Sequence, residues 1–181
     1  MRQSILRYFI SLLLVSLCIC SATSIFIISG SMKEDSEREM MYSVKLIEYN
    51  LDYSGDLNKQ IETLNPLAFS DDTRISVIDE KGKVLADTYK DDISSNHIKR
   101  EEVQEALHSS NHEGYAMRRS ETTNQPLLYA AYYKDNHIIR LSIPYSGVWG
   151  YFPELAPAFA ISILISILFS YIVARKLSKR V

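Results

Sequence analysis

Cysteine is almost absent from this 181-residue chain: Cys18 and Cys20 are the only two, and both lie inside an apolar run near the N-terminus. Two apart on a helix, they point to different faces and cannot bridge each other. A disulfide-stapled scaffold is therefore excluded, and any folded part must be held by a packed core. Glycine is scarce too, at six residues, and no glycine-rich loop that would cradle a phosphate is present. No Ser-His-Asp set and no zinc-finger spacing occurs either, so no catalytic residue and no metal ligand set is assigned.

Charge is missing from two long stretches. Tyr8 to Ser29 holds no ionisable group except the tyrosine and the two thiols, and Leu155 to Ala174 holds only Tyr171. Each matches the roughly 20 residues a helix needs to cross a bilayer core. Acids are missing from the tips beyond these runs, which carry Arg2 and Arg7 at one end and Arg175, Lys176, Lys179 and Arg180 at the other. The centre is opposite in sign: Ser31 to Gly150 holds 14 basic and 21 acidic residues, a net charge of -7. Lys and Arg are retained on the cytoplasmic side, so both termini are expected inside and the acidic centre outside, at the cell membrane. A cleaved signal peptide is the competing reading, with Cys20-Ser21-Ala22 as its processing site. Against it, the apolar stretch resumes at Ile25 and is longer than a signal core. The expected division is a cytoplasmic tip (1–7), a first span (8–29), an extracytoplasmic domain (30–152), a second span (153–174) and a cytoplasmic linker (175–181).

Within the outer domain, Met32 to about Leu64 is charged, with Met40, Val44, Ile47 and Leu51 stepping by three or four. That pattern predicts an amphipathic helix leaving the membrane, weakened at Gly55 and ended by Asn65-Pro66. Met41 and Leu46 broaden the stripe, which suits packing on the domain or pairing with a second copy. From Arg74 the period becomes two. Ile75 and Val77 alternate with Ser76, and Asp79-Glu80-Lys81-Gly82 supplies a turn before Val84, with Gly82 able to take positive φ. Lys99 to His108 predicts a short helix, and Tyr115–Ser120, Leu127–Tyr133 and Ile138–Ile143 predict three more strands. The whole reads as α+β: one antiparallel sheet with helices on one face.

Candidate ligand-binding residues are few. Arg118 and Arg119 are neighbours on a strand, so one faces a packed side or pocket and the other faces water. Tyr129, Tyr132 and Tyr133 divide between faces in the same way. Arg118 or Arg119, with Tyr129 and Tyr132, would suit a carboxylate or another small polar ligand, although cross-strand packing and surface charge would use the same residues. His108 and His112 have helical ligand spacing, but Asn111 and Gly114 predict that the helix stops first. Asp71-Asp72 and Asp91-Asp92 are candidates for a cation or a cationic peptide. The acidic surface argues against nucleic acid.

The string from Arg74 through Gly82 to Asp87 resembles the first hairpin of the extracytoplasmic PAS-like (single Cache) sensor domain of phosphate-regulon-type sensor histidine kinases from Gram-positive bacteria. Asn96-His97 followed by Arg100, Glu102, Val103, Gln104, Ala106 and Leu107 is similar to their helix. Arg119-Ser120-Glu121-Thr122, Leu128-Tyr129, Ala131 and Ile139 through Pro144 continue the likeness. Asn96 and His97 match the family string, which implies that they fix the start of the short helix by hydrogen bonding. Ala174 to Val181 looks like the opening of a HAMP linker.

The resemblance implies the input module of a two-component signal-transduction kinase. Its parent chain would continue through HAMP to a helix bearing a phosphorylated histidine and an ATP-binding domain. ATP and magnesium would belong to that kinase core, with no cofactor in the present residues. The implied partners are a second copy through the membrane-proximal helices, an unknown small-molecule or protein signal, and a response regulator. The same module could instead front a chemoreceptor or a cyclic-dinucleotide enzyme, or act as a kinase-free membrane protein that binds a partner.

Overall fold

The computed structural model describes residues 2–68, 72–89, 96–120 and 124–178. It divides into two compact units, Met1–Tyr145 and Ser146–Val181. Helix α1 (Arg2–Asn50) opens the first unit and runs unbroken from the apolar segment into the folded domain. Nothing between these ends is proline, and Gly30 stands in open space. Met40, Val44 and Ile47 are fully buried and Met41 nearly so, as their spacing requires. Asn50 ends the helix by donating to the Leu46 carbonyl at 2.7 Å.

The single helix expected over Met32 to Leu64 is in fact two. After Asn50 the chain turns on Asp52, whose carboxylate accepts from the Ser54 N–H at 3.0 Å and the Ser54 hydroxyl at 2.6 Å. The Gln60 side chain clamps the same turn through the Asp52 N–H and carbonyl, both at 2.8 Å. Asp56 then caps α2 (Leu57–Leu64), whose Ile61 returns to the α1 core, and a 3-10 turn at Asn65–Leu67 closes the segment. Local side-chain bonds by Asp and Ser compete with helix here and win.

Five strands follow: β1 (Arg74–Asp79), β2 (Val84–Asp87), β3 (Glu113–Arg119), β4 (Pro126–Lys134) and β5 (His137–Pro144). They form one antiparallel sheet in the order β2-β1-β5-β4-β3. Asp135 and Asn136 have φ of 48° and 63°, so the β4–β5 turn takes the two-residue form that suits strand twist. Gly82 has φ of 83°, as its turn requires.

Helix α3 (Glu101–His108) corrects the expectation of helices on one face only. Ile75, Val77, Leu128, Ala130, Ile139 and Leu141 pack with α1 and α2, whereas Ile78, Ala131 and Ile138 point the opposite way and pack with Val103 and Ala106 of α3. The sheet is the middle of three layers. Gly114 lets α3 approach it: a Cβ there would overlap the Glu102 carbonyl oxygen and lie 2.6 Å from the Ala106 nitrogen.

The start of α3 is fixed from the β1–β2 turn. Asn96 donates through Nδ2 to the Lys81 carbonyl and accepts from the Ile98 N–H, both at 2.9 Å, and the His97 N–H donates to the Gly82 carbonyl at 2.7 Å. Arg100 at the N-cap contributes no side-chain bond, so these contacts take the place of a cap. Asn96→Ala removes two of them and is expected to cost about 1–2 kcal/mol, read as a lower thermal midpoint. An unchanged midpoint would contradict this role.

In the second unit, a 3-10 turn at Gly147–Tyr151 leads directly into α4 (Phe152–Ser178). Trp149, Tyr151 and Phe152 are exposed at its start. Two stretches among the described residues, one within α1 and one within Gly147–Ser166, are helical, long enough and apolar enough to cross a membrane.

Candidate functional site

The sheet face turned towards α3 is apolar at one end and charged at the other. Strand register puts Arg74, Ser142, Tyr129 and Ala116 in one row across the sheet, and Asp87, Ser76, Arg140, Ala131 and Gly114 in the next. Side chains of alternate residues share a face, so each strand delivers a polar or small residue to this surface.

These groups form one connected network. Arg74 Nε donates to Asp87 Oδ1 at 2.9 Å, the Tyr89 N–H donates to the same oxygen at 2.8 Å, and the Ser76 hydroxyl donates to Asp87 Oδ2 at 2.7 Å. Arg140 Nη2 donates to the Ser76 oxygen at 3.0 Å, and its Nη1 lies 3.6 Å from Glu102 Oε1. Arg118 closes the chain with two bonds to Glu102, Nη1 to Oε2 at 2.6 Å and Nη2 to Oε1 at 3.0 Å. The Tyr129 ring lies 3.7 Å from the Arg118 guanidinium and 5.7 Å from that of Arg140.

Burial makes the network consequential. Glu102 is fully buried and Arg140 is 3% exposed. Burial alone would raise the Glu102 pKa, but hydrogen bonds and charge from Arg118, with the charge of Arg140, hold it below the ordinary 4.5. Burial also lowers the Arg140 pKa while Glu102 pulls it back up, and a guanidinium remains charged across the accessible range. Because the folded pKa of Glu102 is depressed, its stabilisation is complete above about pH 4.5 and is lost as pH falls through the lower folded value. Acid titration of Glu102→Gln is therefore expected to show a shallower loss of stability below pH 4.5 than the parent. Parallel curves would show that Glu102 does not carry this dependence.

Of the four proposed ligand residues, the structure brings Arg118 and Tyr129 together. Arg119 and Tyr132 lie on the other face of the sheet, because each adjoins on its strand a residue that faces α3. Arg119 is exposed and donates to the Asn124 carbonyl at 3.0 Å, and Tyr132 packs on the α1 side with Lys45 5.1 Å from its ring centre. Glu102, Arg140, Asp87, Ser76 and Arg74 are the residues that sequence reasoning missed. One signal pointed to them: Arg140 interrupts an otherwise apolar strand, Ile138-Ile139-Arg140-Leu141.

The other expected candidates do not assemble with this network. His108 ends α3 and His112 lies beyond it at φ 59°, so the two do not face one another on a helix. Among the described residues no group of three or more His, Cys, Asp or Glu is placed to hold a metal ion. Asp71, Asp91 and Asp92 lie outside the described residues, and Asp72 is exposed. Glu34, Glu37 and Glu113 line an open groove of about 330 Å³ with Arg38, Lys45 and Tyr115.

No protein-family model and no curated protein sequence matches the chain. Solved structures do. Bacillus subtilis YkuI, a protein with an EAL domain solved with c-di-GMP and calcium, aligns at a TM-score of 0.50 and 18% identity over 71% of this chain. The alignment covers 36% of YkuI, so this chain corresponds to about a third of that protein. A methyl-accepting chemotaxis protein from Vibrio parahaemolyticus aligns at 0.48 and 16% identity, over 68% of this chain and 97% of its own. The ligand-binding domain of the Campylobacter jejuni chemoreceptor Tlp3, solved with 4-methylisoleucine, gives 0.47 and 17%, over 66% and 55% respectively. Identities this low speak to fold alone. The fold is the expected α+β one, an antiparallel sheet with a long N-terminal helix.

Proposed function

We propose that this chain is an extracytoplasmic sensory input module, and specifically that of a two-component sensor histidine kinase with the signal received on the charged sheet face. The observation that carries the reading is the continuity of α1. One helix contains an apolar stretch fit to span a membrane and, further on, buries Met40, Val44 and Ile47 against the sheet. The opposite side of that same sheet bears the Glu102–Arg118–Arg140 network. A change on the charged face therefore has one layer to cross before it reaches the helix. An effector acts through its different affinity for two arrangements of such a helix.

The kinase class rests on the resemblance of Arg74 to Pro144 and of the basic tail after Ala174, and the response regulator and ATP belong to that same reading. The acidic outer domain between basic tips supports an outside position. Trp149, Tyr151 and Phe152 suit the aromatic belt at a membrane surface. Tyr42, Leu46 and Tyr49 form an exposed stripe with steps of four and three on α1, fit to pair with the same helix of a second copy.

Orientation is tested in intact cells on a background with Cys18 and Cys20 changed to serine. Asn111→Cys is expected to react with a membrane-impermeant maleimide from outside, and Ser178→Cys only after lysis. The reverse pattern would overturn the reading.

A further inference from the structure

Strand β3 carries two residues that the charged face does not use, Met117 and Arg119. With Tyr115 they alternate onto the α1 side of the sheet, yet both are exposed, Met117 to 53%. Met117 is paired with Leu128, which is fully buried, so in this row the inner strand is covered and the edge strand is not.

Contacts along α1 fix the direction in which β3 runs. Lys134 meets Glu48 at 2.8 Å, Lys45 meets Glu113 at 2.5 Å, and Tyr115 shares a groove with Glu34 and Glu37. From Glu113 onward β3 therefore descends beside α1 towards the apolar segment of that helix. The six residues from Glu113 to Arg119 cover roughly 15–20 Å, depending on the strand's inclination. Stepping back along α1 from Lys45 to Asp35 or to Met32 covers the same roughly 15–20 Å. Met32 and Asp35 lie about 5 and 9 Å beyond Ser29, where the uncharged run ends. The headgroup layer is itself about 5–7 Å deep on each side of a bilayer.

We propose that this end of the sheet is a lipid-contacting surface, on which Arg119 binds headgroup phosphate and Met117 enters the layer just beneath it. The inference rests on the reading of α1 as a spanning helix with the sheet outside, and it adds the bilayer surface as a partner of the domain. A guanidinium pairs with phosphate through two parallel bonds. One of the five Arg119 donors is committed to the Asn124 carbonyl, at 3.0 Å, which holds the side chain at the end of the strand. Met117 is unbranched and pliable, as a side chain among irregular lipid chains must be. Glu34 and Asp35 stand at about the same height on α1, so the partner is the phosphate that every glycerophospholipid carries and not the net charge of an anionic lipid. The contact gives the sheet a foothold on the bilayer separate from the helix that crosses it, so headgroup spacing bears on how α1 is seated.

The test uses the full chain in nanodiscs of zwitterionic phospholipid, with Cys18 and Cys20 changed to serine and a fluorophore on Met117→Cys or, for reference, on Asn111→Cys at the far end of β3. Lipid bearing a headgroup nitroxide is expected to quench the label at Met117 about twofold or more, since that label sits in the headgroup layer, and to leave the one at Asn111 nearly unchanged. Arg119→Glu is expected to bring quenching at Met117 close to the Asn111 level, and Arg119→Lys to retain it. Equal quenching at the two positions overturns the proposal. So does quenching at Met117 that Arg119→Glu leaves unchanged, or that appears only when anionic lipid is added.

The maleimide test of orientation separates this inference from the reading beneath it. Quenching at Met117 with Asn111→Cys closed to the outside reagent keeps the lipid contact and overturns the outside position. An open Asn111→Cys with Met117 unquenched overturns the lipid contact and leaves the outside position standing.

Discussion

A Glu102→Leu variant is expected to lose about 3–5 kcal/mol of stability, enough to unfold much of the sheet domain at growth temperature. Leucine fills similar space and forms helix well, so neither a cavity nor helix propensity is the cause. The cost arises because Arg118 and Arg140 would be left with no carboxylate between them, and Arg140 is 3% exposed. Thermal unfolding followed by circular dichroism measures the loss. The triple variant Glu102→Leu, Arg118→Met, Arg140→Leu is expected to recover most of it, since a buried ion pair replaced whole by apolar groups is often neutral or stabilising. A single variant as stable as the parent would show that the network is not held out of water.

Gly114→Ala is expected to cost about 2–4 kcal/mol, a fall in midpoint of roughly 10 °C or more. The new methyl would overlap backbone, the Glu102 carbonyl and the Ala106 nitrogen, and not the movable end of a side chain. Helix α3 must then lift from β3, which pulls Glu102 away from Arg118. Loss of stability should therefore be accompanied by a weaker acid dependence below pH 4.5. A folded Gly114→Ala domain with the parent midpoint would mean that α3 does not sit as close as described.

The elements were readable because local physics specifies them. The step of three or four from Met40 to Ile47 and the alternation from Ile75 to Val77 each follow from the geometry of one element, and both stand in the structure. Gly82 was readable for the same reason, as a turn residue, whereas Asn96 and His97, more than a dozen residues further on, were placed at the helix start by the resemblance alone. What escaped is everything decided by register between strands. Adjacent Arg118 and Arg119 cannot be assigned to faces until β3 is paired, and Tyr129 and Tyr132 are separated onto opposite faces only by the partner strand. Residues Ile138 through Ile143 are buried on both sides, and such a strand gives no alternation to announce a second layer. Glu102 meets Arg118 across 16 residues, and Arg140 meets Ser76 across 64, so neither contact leaves a local trace.

The central claim is that the state of the charged face reaches the membrane spans. Paired cysteines placed along α4 at Ile161 and Leu168, on a background with Cys18 and Cys20 changed to serine, can be oxidised in membranes carrying either the parent chain or Glu102→Gln. Different crosslinking patterns for the two proteins are predicted, because loss of the buried charge alters how α3 holds the sheet on which α1 rests. Identical patterns, with both domains folded, would contradict the claim.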